Sequence, residues 1–431
     1  MSKIPVMSQT QNKRYDRLSS ASKKQLVIES DRVLYEMQNG SDNSISGMEY
    51  FHEVARNFAR GQHSRQDERK YIATNCVQVP IELIYAAGAV PVRICSGAHS
   101  MSQAGAEFLP AKSCSLVNAT YGTIYTNSLP AGQKPRAIIT PTTCDQKKKL
   151  SEIPSGMDIP FYNLELPPTK DSEEAQVYWH RTIKKFTKDL EGITGKRITR
   201  SNLKRAIFRV AKAQQAFRQL HQIRKENPSL KGTDALLIAN TFFYDDIDSW
   251  IIHLNKLNHK LAEHLKKNQE IPGTSGPRIL LTGSPSIFPN FKLPLLIEKM
   301  GGVIVVDEFC SSNRLLYDTV AVDEWNMYDM IPALADRYLK ACTCPCFTPN
   351  LDRDRKILSY IKDFKVDGVV YQSFSGCQLY ELESLRISKL LEKENTPMLY
   401  VETDYSPDDT GQLITRIEAF IESLMTKHLY T

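Results

Sequence analysis

The chain has 431 residues, 41% of them hydrophobic and 24% charged, with a formal net charge of +6. That length accommodates about two to three domains and a large buried core, and the composition is that of a soluble globular protein. No apolar run approaches the roughly 20 residues that a bilayer span requires; the best candidate, Val79 to Ile94, carries Glu82 and Arg93 and is broken by Gly88 and Pro91.

The first 25 residues are polar and basic with no apolar h-region, so no secretory signal is read and a cytoplasmic location is expected. The lysines are scattered over helical faces without interleaved aromatics. They read as solvated surface, and neither a nucleic-acid nor a membrane partner is expected.

In chain order, residues 1–45 read as a mobile tail and a helix, with a polar stretch at 39–44, and residues 46–70 as charged helix. Val79 to Ala87 reads as a helix closed by Gly88, and Val90 to Cys95 as a short strand. Cys114 to Asn127 is helical after Pro110. Arg136 to Pro141 is a buried strand with Cys144 three residues beyond it, and Ile159 to Leu164 is another strand. Residues 172–267 change character: Trp179, Ile183, Phe186 and Leu190 recur at helical spacing, as do Leu203, Ile207, Val210 and Phe217, and then Trp250, Leu254, Leu257 and Leu261. His253, His259 and His264 on this unit share no ligand spacing and read as surface residues.

After the linker G-T-S-G-P at 273–277 come strand Arg278 to Thr282, helix Leu293 to Met300, the stop Gly301-Gly302 and strand Val303 to Val306, with Cys310 following. A helix from Met327 to Lys340 leads into C-T-C-P-C-F-T-P-N at 342–350. Helix Asp352 to Phe364, strand Gly368 to Tyr371 leading to Cys377, strand Met398 to Glu402 and helix Gln412 to Leu424 complete the chain. Strands alternating with helices imply parallel sheets. The expected fold is α/β: two lobes with parallel sheets flanked by helices, at 71–170 and 273–431, plus a helical region at 171–272 and an N-terminal tail and helices at 1–70.

The nine cysteines carry the functional signal. In a chain read as intracellular, disulfides are disfavoured against metal binding or catalysis, although free cysteines also serve as small buried hydrophobes. Cys342, Cys344 and Cys346 fall within five residues that Pro345 and Pro349 keep out of a regular helix. In an extended chain alternate residues share a face, with Cα atoms about 6.6 Å apart, which suits a metal–sulfur cluster and lies near the upper limit for a disulfide. Cys95, Cys144, Cys310 and Cys377 each lie just past a strand, at the edge where open parallel sheets bind ligands. Cys114 opens a helix, where N–H groups favour thiolate.

No C-x2-C pair and no nearby histidine gives a zinc spacing, whereas iron–sulfur clusters accept thiolates from several loops. G-I-T-G-K-R at 192–197 lacks phosphate-loop spacing, L-T-G-S-P-S at 281–286 is no dinucleotide fingerprint, and there is no H-E-x-x-H or nucleophile elbow. Demanding redox chemistry would therefore draw its electrons and energy from a partner. Asp307 and Glu308 beside Cys310 read as surface caps or pairs, with a role in charge tuning or proton transfer as the alternative.

Several segments resemble one family. N-C-V-Q-V-P-I-E-L-I-Y-A-A-G-A-V-P-V-R-I-C at 75–95, T-T-C-D-Q-K-K-K at 142–149, V-D-E-F-C-S-S-N-R at 306–314, the C-P-C-F-T-P-N loop and V-V-Y-Q-S-F-S-G-C at 369–377 together resemble the 2-hydroxyacyl-CoA dehydratase and benzoyl-CoA reductase superfamily, of the 2-hydroxyglutaryl-CoA dehydratase D-component type. The resemblance covers about residues 50–425. It implies that Cys114, Cys144 and Cys377 hold one 4Fe-4S cubane. The further thiols Cys310, Cys344 and Cys346 resemble the double-cubane branch, in which an eight-iron nine-sulfide cluster sits in each subunit of a homodimer. That branch implies an oxidoreductase of anaerobic chemistry, reducing a small-molecule substrate at low potential with electrons from an ATP-hydrolysing iron–sulfur activator protein. Cys342 departs from the pattern as a third loop thiol, and Cys76 stands near enough to replace one of the set; Cys95 is expected not to ligate. Two other readings stay open: the single-cubane subunit of a 2-hydroxyacyl-CoA dehydratase, and a zinc-stabilised scaffold or cluster carrier.

Overall fold

The computed structural model describes residues 9–39, 47–62, 69–129, 134–153, 159–228, 230–266 and 276–429. Residues 1–8 of the expected tail, most of the polar stretch at 39–44 and part of the 273–277 linker lie outside the described residues.

Helices α1 (Gln9–Asn39) and α2 (Glu49–Ala59) precede the first sheet. The charged helix expected to run to residue 70 stops at Ala59, and Lys70 opens a strand instead. The first α/β unit then runs β1 (Lys70–Thr74), α3 (Ile81–Ala86), β2 (Ala89–Arg93), α4 (His99–Ala106), α5 (Ser115–Tyr125), β3 (Ala137–Pro141), α6 (Asp145–Leu150) and β4 (Phe161–Leu164). Gly88, at φ +70°, closes the turn after α3 as its position suggested. The strands are parallel in the order β2-β1-β3-β4. The order reverses between β1 and β3, so the loops after these strands flank a crevice at the sheet's C-terminal edge.

Four helices follow: α7 (Glu173–Thr194), α8 (Arg200–Glu226), α9 (Gly232–Thr241) and α10 (Ile247–Lys266). The Ser172 hydroxyl caps α7 by accepting from the Ala175 N–H, and Thr199 caps α8 through the Asn202 N–H, contacts each worth about 1 kcal/mol. The apolar stripes read from the sequence are buried on α7, α8 and α10. Helix α8 bridges two cores: Leu203 and Ile207 pack in the core of the first sheet with Ile72 and Ile139, while Val210 and Phe217 pack in that of the second with Ile279 and Ile304. His259 and His264 are exposed as expected; His253 is instead half-buried, its ring stacked 3.7 Å from that of Tyr50.

The second unit runs β5 (Arg278–Gly283), α11 (Lys292–Lys299), β6 (Val303–Glu308), α12 (Asn313–Leu316), α13 (Met327–Leu339), α14 (Leu351–Asp363), β7 (Gly368–Phe374), α15 (Gln378–Lys393), β8 (Met398–Thr403) and α16 (Thr410–Leu429). Its parallel order, β6-β5-β7-β8, repeats that of the first sheet. Strands β3, β5, β6 and β7 are buried almost throughout, the result of helices covering both faces. Among the described residues no helix is long and apolar enough to cross a membrane.

His221 on α8 is buried among the rings of Tyr317, Phe364 and Tyr360, at 4.9, 4.7 and 5.7 Å. Burial first, then Arg224, Lys356 and Lys225, lowers its pKa to about 3. A free histidine titrates near 6.5, so the unfolded chain takes up a proton that the folded chain refuses. The stability contribution is complete above pH 6.5 and is lost as pH falls toward 3. From pH 7 to pH 5 the loss is about 2 kcal/mol. Denaturant midpoints at the two pH values should show this loss, and His221→Phe should reduce it.

Candidate metal centre

The two sheets present their C-terminal edges to each other's loops, and five cysteines sit there: Cys76 after β1, Cys95 after β2, Cys144 after β3, Cys310 after β6 and Cys377 after β7. All nine cysteines are free. Cys76 belongs to this set because Lys70 to Thr74 is a strand, which the sequence reading missed.

Cys114, Cys144 and Cys377 meet between the lobes. Cys114 is the N-cap of α5, Cys144 that of α6 and Cys377 that of α15. The Cys114 thiol donates to Cys377 and stands in the field of Cys144. That hydrogen bond, and then burial, pushes Cys114 well up, and the same bond draws Cys377 down to about 7. Cys114 opens a helix as expected, and Cys144 and Cys377 each open one as well. Burial raises Cys144 against the pull of Lys147. Gly376 makes the meeting possible. Its φ is +80°, and a Cβ there would lie 2.4 Å from the Lys112 carbonyl oxygen.

Gln146, on the first turn of α6, ties these loops together. Its Oε1 accepts from the Cys114 N–H at 2.9 Å, and its Nε2 donates to the Gly376 carbonyl at 2.8 Å. Cys144, Gln146 and Lys147 thus act from one turn, and two of the three were unremarked in the sequence.

The triple-cysteine loop between α13 and α14 packs Cys342, Cys344 and Phe347 into the core of the first sheet. Cys346 donates to Cys344, which lowers Cys344 to about 6 and raises Cys346 well above its ordinary value. Lys170 Nζ, almost wholly buried, donates to the Lys340 and Cys342 carbonyls at 3.1 and 2.9 Å and to Asp352 at 2.6 Å. Asn350 donates to the Cys344 carbonyl at 2.7 Å and caps α14. Cys342 accepts from Gln78, whose Oε1 accepts from Cys76 at 3.0 Å.

Asp307 and Glu308 are buried rather than on the surface, 3% and 1% exposed. Asp307 caps the following turn, accepting from Phe309 N at 3.1 Å and from Ser312 and Asn313. Glu308 accepts from Arg314 Nε and Nη2 at 2.5 and 2.6 Å, from Thr343 in the cysteine loop at 2.6 Å, and from Arg353. Burial opposes its charge, but Arg314 and Arg353 prevail and lower it to about 2. Cys310, next along, is pushed up to about 11 by burial despite Arg314, Lys147 and Arg93.

Among the described residues no three His, Cys, Asp or Glu side chains are grouped to hold a single metal ion. The donors are instead soft thiols from separate loops, two hydrogen-bonded pairs among them, a donor set that suits iron and sulfide. All six expected ligands lie in this region; Cys76, Cys95 and Cys342 lie there with them.

The family description "2-hydroxyglutaryl-CoA dehydratase, D-component" matches residues 76–424. The chain belongs to this family. The match begins at Cys76, just after β1, and takes in the other seven strands and every cysteine of the crevice. Similar proteins include YjiM of Escherichia coli (strain K12), provisionally named a dehydratase subunit, 31% identical over 82% of this chain and 91% of that protein. The (R)-phenyllactyl-CoA dehydratase beta subunit of Clostridium sporogenes is 23% identical over 84% and 94%. A benzoyl-CoA reductase subunit of Thauera aromatica is 22% identical over 82% and 90%. As a D-component family member, this chain is an enzyme component of the dehydratase and reductase type.

Proposed function

We propose that this D-component protein carries a double-cubane cluster, eight irons and nine sulfides, and reduces a small molecule at low potential with electrons from an ATP-hydrolysing iron–sulfur activator. The carrying observation is that thiols of both lobes and of the loop are tied together at one crevice: Gln146, two residues from Cys144, bonds the Cys114 N–H and the Gly376 carbonyl beside Cys377, and Gln78 joins Cys76 to the loop thiol Cys342. Cys114, Cys144 and Cys377 would hold one cubane, and Cys310, Cys344 and Cys346 the other. The cluster would supply electron storage at a potential set by its surroundings. A cytoplasmic homodimer is part of the same reading.

The chain's own residues position and shield. Gln146 fixes the spacing of Cys114 from Cys377, while Lys170, Asn350 and Glu308 hold the loop that presents Cys344 and Cys346. A cavity of about 940 Å³ between α1, α11 and the start of α16 reaches Tyr405, whose ring packs in one apolar cluster with Cys114 and Phe374. The Tyr405 hydroxyl is buried with no hydrogen-bond partner among the described residues, which suits it to meet an entering molecule.

A second reading, the single-4Fe-4S subunit of a 2-hydroxyacyl-CoA dehydratase, is favoured by the self-contained Cys114–Cys144–Cys377 trio and by the dehydratase names of several relatives. Iron and acid-labile sulfide analysis after anaerobic purification separates the readings. About eight irons per chain is expected, from the resemblance and the number of thiolates available. About four supports the dehydratase subunit, and zinc without sulfide would overturn both.

A further inference from the structure

Of the three consecutive lysines on α6, Lys148 and Lys149 are exposed or nearly so and Lys149 pairs with Glu152 at 3.0 Å, whereas Lys147 is partly buried and turned inward. Position 147 lies three residues after Cys144 and so beside it on the helix, and its side chain is half-buried where that of Lys148 is exposed. Lys147 Nζ donates to the Asn75 carbonyl at 2.8 Å, and the same oxygen accepts from Cys95 at 3.2 Å. The charge of the ammonium favours the anionic form of Cys76, Cys95, Cys144 and Cys310, and also of Cys344 and Cys377. Thiols from both sheets and from the cysteine loop thus surround one cation.

The other cations at the crevice are engaged differently. Arg314 is neutralised by Glu308, and Arg93 lies over the Phe243 ring with one N–H on the Cys310 carbonyl. Lys147 bonds only to a neutral carbonyl, and among the described residues no carboxylate lies within ion-pair distance of it. Its charge is left for the thiols, and the burial that would otherwise disfavour the ammonium is overcome by them.

We propose that Lys147 is the resident counter-cation of the sulfur-lined crevice, a positioning residue whose fixed charge makes each added electron easier to accept. The inference rests on the iron–sulfur reading above. Thiolates and sulfides carry several negative charges, and a nearby positive charge offsets the next one added in a region of reduced dielectric.

The test is an EPR-monitored redox titration of anaerobically purified wild type, Lys147→Met, Lys147→Arg and Lys148→Met, with iron and sulfide measured on each. Lys147→Met is expected to lower the reduction equilibrium constant at least tenfold, a midpoint shift of about 59 mV for one electron toward more negative potential. Lys147→Arg should remain within threefold of wild type, as should Lys148→Met, which removes the same charge from the outer face. A Lys147→Met midpoint equal to wild type at full iron content, or an equal shift in Lys148→Met, would overturn the role of Lys147 while leaving the cluster standing. Should Lys147→Met not retain iron, Lys147→Arg decides: full iron and a wild-type midpoint support the charge, and loss of iron there too overturns it. Wild type without iron and sulfide removes the cluster reading and this inference together.

Discussion

Arg353→Met is expected to destabilise the folded protein by about 3–5 kcal/mol, the range for breaking a buried ion pair by removing one partner. Arg353 is fully buried, and its guanidinium serves two carboxylates: it bonds Glu308, and its Nε lies 2.7 Å from Glu383. It also reaches the Thr282 hydroxyl at 3.3 Å and the Thr343 carbonyl at 3.4 Å. Removal leaves Glu308 to Arg314, which already holds it through two N–H groups, and leaves the nearly buried Glu383 with the Tyr371 hydroxyl at 2.9 Å and Arg386 at 3.5 Å. Proteins of this kind are stable by only about 5–15 kcal/mol, so the loss is a large fraction of the total. Arg353→Lys should recover little, because an ammonium cannot reproduce a planar fork bonded to several groups. Denaturant midpoints of wild type and both variants check this. A midpoint unchanged in Arg353→Met would mean that the network carries no net stability. Iron content should fall as well, since Glu308 also holds Thr343, the residue between Cys342 and Cys344.

The sequence made the chemistry-bearing edge legible because it depends on local pattern. Apolar runs ending in Cys95, Cys144, Cys310 and Cys377 are readable as strand followed by loop, and helical stripes such as Trp179–Ile183–Phe186 are readable by period. Strand β1 escaped because K-Y-I-A-T is five residues long and follows a charged stretch, and so Cys76, expected near the crevice, was not read as following a strand. The residues that hold the cysteines in place were not legible. Lys170 and Arg353 look like surface charges in the sequence, and only partners 170 to 182 positions away for Lys170, or 45 and 71 for Arg353, bury them. Lys147 and Gln146 were within reach: a helix beginning at Cys144 places both on its first turn, beside the cysteine they serve. Reading the lysines together as solvated surface concealed the difference among these three.

Cys144→Ala and Cys377→Ala are each expected to lose about half of the bound iron and nearly all turnover. Both thiols belong to the trio, whose members are linked to one another by a hydrogen bond and by charge. Alanine offers no replacement donor. Cys95→Ala should keep its iron, because the Cys95 thiol already donates to the Asn75 carbonyl that Lys147 also uses. Gln146→Ala separates ligation from positioning. It leaves all three sulfurs in the chain but releases the Cys114 N–H and the Gly376 carbonyl, and a loss of about 10–100-fold in activity or iron affinity is expected from removing such a supporting contact. Iron analysis and turnover on the four variants, made side by side, distinguish these outcomes. Full iron in Cys144→Ala and Cys377→Ala would take the trio out of the metal centre, and equal iron loss in Cys95→Ala would show that the crevice is sensitive to any missing thiol rather than to its ligands.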